Sequence, residues 1–234
     1  IQIICSMFKF HKYNKNDETT WDKFVSTSNN GTIFHLRKFL NYHSEDRFVD
    51  HSLLISKNKK LFSVLPAAEK IISGKKLLVS HPGSSVGSFV IPENLSIANS
   101  IELVRQIKVY AKSLNFNGIQ ITLPPNLYQK RLSNYMDFAF FREGFIYKKR
   151  EITSILFLEK NIETTMKKFR PSHRRAVKTA QNKGVIVRKT ERYDEYYKIL
   201  KKNLSKRHGV NPTHTLKELK KLKRIFKDKV KLFS

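Results

Sequence analysis

Hydrophobic positions change period several times along the first 160 residues. Trp21, Phe24 and Val25 open a short helical pattern, and the Asn29-Asn30-Gly31-Thr32 turn behind it ends on a residue suited to capping the next helix. Phe34, Leu36, Phe39, Leu40 and Tyr42 resume a mostly helical spacing. Three strand-like runs follow, SLLIS (52–56), KLFSVLP (60–66) and KKLLVS (75–80), separated by KNKK and ISGK turn signals, so a β-meander is expected. SHPGSSVGSFVIP (80–92) reads as a glycine-bearing loop entering another strand. Over 97–115, Ile101, Val104, Ile107, Tyr110, Ala111 and Leu114 fall on one face of a helix. GIQITLPP (118–125) predicts a strand closed by its prolines, 131–141 a short helix, and FIYKKREITSILFL (145–158) one long strand or two joined.

Beyond residue 160 the pattern becomes basic and helical. Residues 161–183 predict one helix broken near FRPSH, where Pro171 fits a kink or a new first helical position. Gly184 caps it, VIVRK is a strand, and 191–208 form a helix with Tyr193, Tyr196, Tyr197, Leu200 and Leu204 inward. HTLKELKKLKRIF makes another, with Thr213 or Thr215 as its cap, and 230–233 begin a last strand. The chain therefore reads as α/β, with a second α/β unit opening after the first and left incomplete at Ser234.

Composition narrows the class. About 40% of the 234 residues are apolar and 12% aromatic, enough to fill a core and to exclude intrinsic disorder. No apolar run reaches the ~18 residues of a spanning helix. One cysteine, Cys5, excludes a disulfide framework and multi-cysteine zinc sites and fits a reducing compartment such as the cytoplasm. The opening IQIICSM is too short and too poor in basic residues for a secretory leader, so Met7 is expected to be the natural start, with Cys5 outside the native protein.

The net charge of +27 is uneven: residues 1–141 carry 18 Lys and Arg against 10 Asp and Glu, residues 142–234 carry 28 against 9. Such a field attracts polyanions: nucleic acid, anionic lipid head groups or phosphorylated small molecules. A solvated lysine-rich surface explains the same numbers.

Candidate chemistry is concentrated in three places. In HPGSSVGS the glycines permit close backbone approach, and His81, Ser84 and Ser85 can donate hydrogen bonds; the spacing matches neither a P-loop nor a dinucleotide fingerprint, and a plain turn fits it equally. Arg170, Arg174, Arg175 and Lys178 occupy neighbouring helical turns, where guanidinium groups can grip phosphate, although a solvated basic face has the same spacing. RHGVNPTHT brings Arg207, His208 and His214 near a proline; the histidine spacing does not suit a metal, and a neutral imidazole could serve as a general base. His35, Arg37 and His43 are further candidates that an amphipathic helix explains as well. No covalent-hydrolase motif is present.

The order of NNGTIFHLRKFLNYHSEDRFVDHSLL, the meander ending LPA, SHPGSSVGSFV, FREGF, RPSHRRAVKTAQNKGVIV and LSKRHGVNPTHTLKEL resembles the FemAB-like branch of the GNAT-related N-acyltransferases over about residues 13–234. The resemblance implies a GNAT-like mixed sheet flanked by helices over 7–160, a basic connecting helix over 161–183, and the start of a second GNAT-like domain over 184–234. It implies transfer of an acyl or aminoacyl group from acyl-CoA or aminoacyl-tRNA, as co-substrate, to an amine of a cell-envelope precursor, with no bound cofactor or metal. His81, Gly83 and Ser84 would line an acceptor cleft, and Arg170, Arg174 and Arg175 would neutralise phosphates. Arg207 and His214 would shape an inter-domain site with His208 as the proton acceptor. Peripheral association with an anionic membrane surface is a further expectation. The rival readings are a non-catalytic RNA- or DNA-binding protein and an inactive fragment.

Overall fold

The computed structural model describes residues 7–234, so Cys5 lies outside the described residues. Two compact units are present, one running to Ile146 and the other over Tyr147–Ser234.

The first unit begins with β1 (Phe8–Lys12), whose alternating FKFHK sequence was not legible as a strand in isolation. Helix α1 (Glu18–Thr27) buries Trp21 and Val25. The expected helix over 34–42 is broken in two. A single 3-10 turn at Ile33–His35 is followed by extended Leu36 and then by α2 (Arg37–Leu40). The break is held by Asp22, whose Oδ1 accepts the Arg37 backbone N–H at 2.6 Å.

The meander is present and longer than the pattern suggested: β2 (Val49–Asp50), β3 (Leu53–Lys57), β4 (Lys60–Leu65), β5 (Ala67–Ile72) and β6 (Lys75–Ser80). The strand β5, with its AAEKII sequence, continues β4 past Pro66. The strands sort into two sheets, ordered β1-β3-β4 and β2-β5-β6-β7, where β7 is Gly118–Gln120. The chain changes sheet at His51–Ser52 and at Pro66, a residue with no N–H to give a ladder. Ser52 bridges the change: its Oγ accepts the Ala67 N–H at 3.2 Å.

Between β6 and β7 runs α3 (Ile97–Ser113), N-capped by Ser96 and burying Leu103, Val104, Ile107 and Ala111 against Phe8, Leu53, Ile55, Leu65 and Leu78. Leu103, Val104 and Ile107 each contribute roughly 1.5–3 kcal/mol by leaving water. The crossover makes β7 parallel to β6, Leu77 facing Gly118 and Val79 facing Gln120. Helix α4 (Tyr135–Arg142) adds Met136, Ala139 and Phe140 to the same core.

In the second unit, α5 (Ile162–Lys167) and α6 (Pro171–Asn182) replace the single interrupted helix, with Pro171 at the first position of α6. Gly184 takes φ +77°, as a helix-ending glycine should. A short ladder pairs β8 (Lys189–Thr190) with β9 (Leu232–Phe233), and α7 (Tyr193–His208) and α8 (Leu216–Phe226) lie between them in sequence. Thr215 caps α8 in a reciprocal box with Glu218.

Three expectations fail here. Residues 145–158 carry no strand, and of VIVRK only Lys189 is in β8. The loop 80–92 leads to a single bridge, Val90 with Val64, rather than a full strand. In each case the residues suit a strand, but a strand exists only where a neighbour takes its backbone groups.

Candidate functional site

The glycine loop after β6 is anchored by side chains from the segment before β2. Asn30, buried, spans it: Nδ2 donates to the Phe89 carbonyl at 2.8 Å and Oδ1 accepts the Ile91 N–H at 2.9 Å. Asn29 does the same for the chain beyond β7, binding the Arg131 carbonyl at 3.0 Å and the Arg131 N–H at 2.8 Å. His35, fully buried, accepts the Thr32 N–H on Nδ1 and donates from Nε2 to the Gly87 carbonyl at 3.0 Å. Burial pushes its imidazole below the usual histidine range, against the pull of that Gly87 bond. The turn read from sequence as a plain cap is thus the frame on which the loop is built.

Within the loop, the Gly83 N–H donates to His81 Nδ1 at 3.2 Å, and the Gly83 carbonyl accepts from His43 Nε2 at 3.1 Å. Gly83 has no room for a side chain, since a Cβ there would lie 2.5 Å from His43 Nε2 and 2.8 Å from Phe48 Cε2. Gly87 is similarly closed in by Ser80, 2.7 Å from where its Cβ would be. Ser84 Oγ donates to the Val86 carbonyl at 2.7 Å.

A cavity of about 210 Å³ opens beside this loop, lined by Lys70, Ser80, His81, Ser84, Ser85, Gln120 and Thr122 among others. It lies at the carboxyl ends of the parallel pair β6 and β7, the usual place for a ligand in an α/β sheet. There the ladder is replaced by side chain and loop: Thr122 donates its N–H to Ser80 Oγ at 2.8 Å, and its carbonyl accepts the Gly87 N–H at 2.9 Å. Lys70 is the one charged lining residue, so the cavity offers a cation, hydroxyls, an amide and an imidazole.

Behind the cavity Arg37 is buried, paired with Asp50, donating to Ser52 Oγ at 3.0 Å and Asn41 Oδ1 at 2.8 Å, with its guanidinium 3.7 Å from the Tyr13 ring centroid. Burial raises the Asp50 carboxyl, but Arg37 and the Ser52 hydrogen bonds outweigh it and hold Asp50 below its ordinary value. His81 is pushed down to about 4, first by burial and then by Arg37 and His43, with Asp50 opposing. It is neutral at physiological pH, with Nδ1 already accepting a proton donor, and so is a poor base.

Of the residues singled out from sequence, His81 and Ser84 line the cavity, and Gly83 forms the backbone between them. His43 and Arg37 support that loop and strand as packing and hydrogen-bonding groups. The remaining candidates belong to the second unit. Arg170 precedes α6, and Arg174 donates from Nη1 to the carbonyls of Lys167 and Phe169, both at 3.1 Å; Arg174 and Arg175 are exposed. Arg207 and His208 are exposed at the end of α7, which Gly209 closes at φ +64°. His214 is half-buried just before α8. Lys70, Gln120 and Thr122 were not singled out. The parallel register that brings Gln120 and Thr122 beside β6 is invisible before the crossover is known. Among the described residues, no group of three or more His, Cys, Asp or Glu could hold a metal ion.

No family model matches the sequence, and no curated protein matches it. The architecture nevertheless defines a class, the GNAT-like mixed α/β fold. Within it, a crystal structure of FemX superposes with a TM-score of 0.61 over 96% of this chain, at 16% identity. The chain spans 57% of the length of FemX. Two acetyltransferases superpose over smaller shares. A GNAT family acetyltransferase from Staphylococcus aureus subsp. aureus USA300_TCH1516 covers 64% of this chain and 99% of its own, at 13% identity and a TM-score of 0.39. An aminoglycoside acetyltransferase from an uncultured soil metagenomic sample, solved with sisomicin, covers 66% and 97%, at 12% identity and 0.39.

Proposed function

We propose that this chain is part of an N-acyltransferase that moves an acyl or aminoacyl group from acyl-CoA or aminoacyl-tRNA to an amine of a cell-envelope precursor. The observation that carries the reading is the cavity at the carboxyl ends of β6 and β7 in a chain with the FemX fold. Its uncharged donors and single lysine suit a polar, oxygen-rich acceptor.

In this reading His81, Gly83 and Ser84 hold the acceptor. The amine nitrogen forms a bond to the donor carbonyl carbon and the C–S or C–O bond to the carrier breaks, so the carrier leaves as thiol or ribose hydroxyl. His208 takes the proton lost by the amine, a role for which His81 is unsuited because its imidazole is held so weakly basic. Arg170, Arg174 and Arg175 neutralise donor or acceptor phosphates, and Arg207 and His214 shape the site around His208. Alignment of amine and carbonyl supplies much of the rate, and no covalent enzyme intermediate is needed. A cytoplasmic location belongs to the same reading, since both donors are made there.

The test is a titration with acetyl-CoA, charged tRNA and uncharged tRNA at low and high salt. Saturable acetyl-CoA binding, with tRNA binding that collapses as salt rises, identifies an acetyltransferase. Preference for charged over uncharged tRNA, with acetyl-CoA ignored, identifies aminoacyl transfer. Binding of neither donor defeats the enzyme reading and favours an inactive fragment, whereas equal, salt-sensitive binding of charged and uncharged tRNA with acetyl-CoA ignored favours a basic nucleic-acid binder.

A further inference from the structure

The cavity beside β6 is lined by hydrogen-bond donors that the first unit leaves unused, and a relay of hydrogen bonds sets the state of the most buried one. Arg47 Nη1 donates to His43 Nδ1 at 3.0 Å, so His43 carries its proton on Nε2 and gives it to the Gly83 carbonyl at 3.1 Å. The Gly83 N–H in turn donates to His81 Nδ1 at 3.2 Å, which places the His81 proton on Nε2. His81 is only 4% exposed and lines the cavity, and its Nε2–H meets no acceptor among the described residues. Burial keeps this imidazole uncharged at neutral pH, so it is a donor without being a second cation.

Lys70 joins it from β5, on the strand face shared with Ile72, and forms no ion pair among the described residues. The acids nearby are already engaged. Glu69, on the opposite face of β5, bonds His51 at 2.9 Å and Lys76 at 3.0 Å, and Asp50 is paired with Arg37. No carboxylate lines the cavity among the described residues. The Ser84 hydroxyl proton is spent on the Val86 carbonyl, whereas the side chains of Ser85, Gln120 and Thr122 make no hydrogen bond to the described residues.

One cation, several neutral donors and no acid fit an oxygen group of single negative charge. A neutral hydroxyl would leave the Lys70 charge unmatched. A phosphate monoester carries about 1.5 to 2 negative charges and is gripped by guanidinium forks or a helix N-terminus, and neither lines this cavity. A carboxylate carries one charge on two oxygens that together accept up to about four hydrogen bonds. The volume of about 210 Å³ falls below the roughly 300–1,000 Å³ of pockets that enclose a whole ligand, so one end of a longer molecule fits here.

We propose that this cavity binds the carboxylate end of its ligand, with Lys70 as the ion-pair partner and His81 Nε2, Gln120 and Ser85 donating to the carboxylate oxygens. That the bearer of this carboxylate is the amine acceptor rests on the acyl-transfer reading; the acceptor is then a molecule with a free carboxylate at one end and the reacting amine at a distance from it.

NMR titration of the full chain with N-acetyl-alanyl-alanine, its C-terminal amide and inorganic phosphate tests it. The expected result is saturable binding of the free acid, at least roughly tenfold tighter than the amide, with a shift of the His81 Nε2 resonance. Lys70→Met should bring the acid down to the level of the amide, while Lys70→Arg should retain most of the preference. Lys70 is exposed, and unchanged circular dichroism would verify that both variants fold. Equal binding of acid and amide, no binding of the acid, tighter binding of phosphate, or an acid preference that Lys70→Met leaves intact overturns the proposal. The donor titration separates its failure from that of the acyl-transfer reading. A chain that binds a donor but shows no acid preference loses the carboxylate site and keeps acyl transfer. A chain with a Lys70-dependent acid preference that binds neither donor keeps the site and loses the acceptor role.

Discussion

His81 sits where strand, loop and buried ion pair meet, and its protonation is therefore tied to folding. Its pKa falls from 6.5 to about 4 on folding, so between those values the unfolded chain binds a proton that the folded first unit refuses. The stabilisation is complete above pH 6.5 and is lost as pH falls toward 4, a change on the order of 3 kcal/mol. His35 and His51, whose values are also lowered chiefly by burial, act in the same direction. Urea midpoints of the first unit should drop steeply across this window, and His81→Asn should flatten the drop without abolishing it; an unchanged slope would mean that His81 is not a source of the acid sensitivity. Sequence pointed to His81 and Ser84 because glycine-rich loops with polar side chains can approach ligands. It gave no hint that Lys70 would join them, since its neighbours in the cavity come from strands that meet only after folding.

At the level of elements, the patterns that succeeded were those in which local chemistry settles the outcome. Helix α3 had a clean apolar face and Ser96 as its cap, and α6 had Pro171 at its start. Helix α8 had both a capping threonine and the matching glutamate. Thr215→Ala should destabilise the second unit by about 1 kcal/mol, read as faster hydrogen exchange in the first turn of α8, with little effect on the first unit. Failures fell on strands. The alternation in β1 and in β5 is short, and β5 follows a proline that looks like an end rather than a bend. Residues 145–158 have the right composition, but composition cannot supply the neighbour a strand requires. The 34–42 helix failed for a different reason, because Asp22 binds the Arg37 N–H and fixes the break from another helix.

For the whole molecule, the contrast between the units is the controlling feature. The first has a continuous core from Phe8 to Phe140, while the second buries few residues and carries most of the charge. The segment joining them passes through exposed Lys148, Lys149 and Arg150 without regular structure. Trypsin at limiting concentration should cut there first and leave a resistant fragment extending from the N-terminal region to about residue 150, identified by intact mass. Early cleavage within β3–β6 would contradict the core described here. The division into units at Ile146 was not readable from the hydrophobic pattern, which runs on through Phe157 as though one sheet continued.

The Asn30 clamp also governs how the molecule ages. Of the two Asn-Gly steps in the chain, at 30–31 and 117–118, the first is buried and doubly restrained. Succinimide formation requires the following backbone nitrogen to reach the asparagine side-chain carbon. Here the Gly31 N–H is held by Ser28 Oγ at 3.0 Å while the Asn30 amide is stretched between Phe89 and Ile91. Deamidation at Asn30 is thereby confined to molecules that have opened. The isoaspartate they acquire inserts an extra backbone methylene where the frame must close on the glycine loop, so each opening carries a chance of being the last from which that loop can be rebuilt.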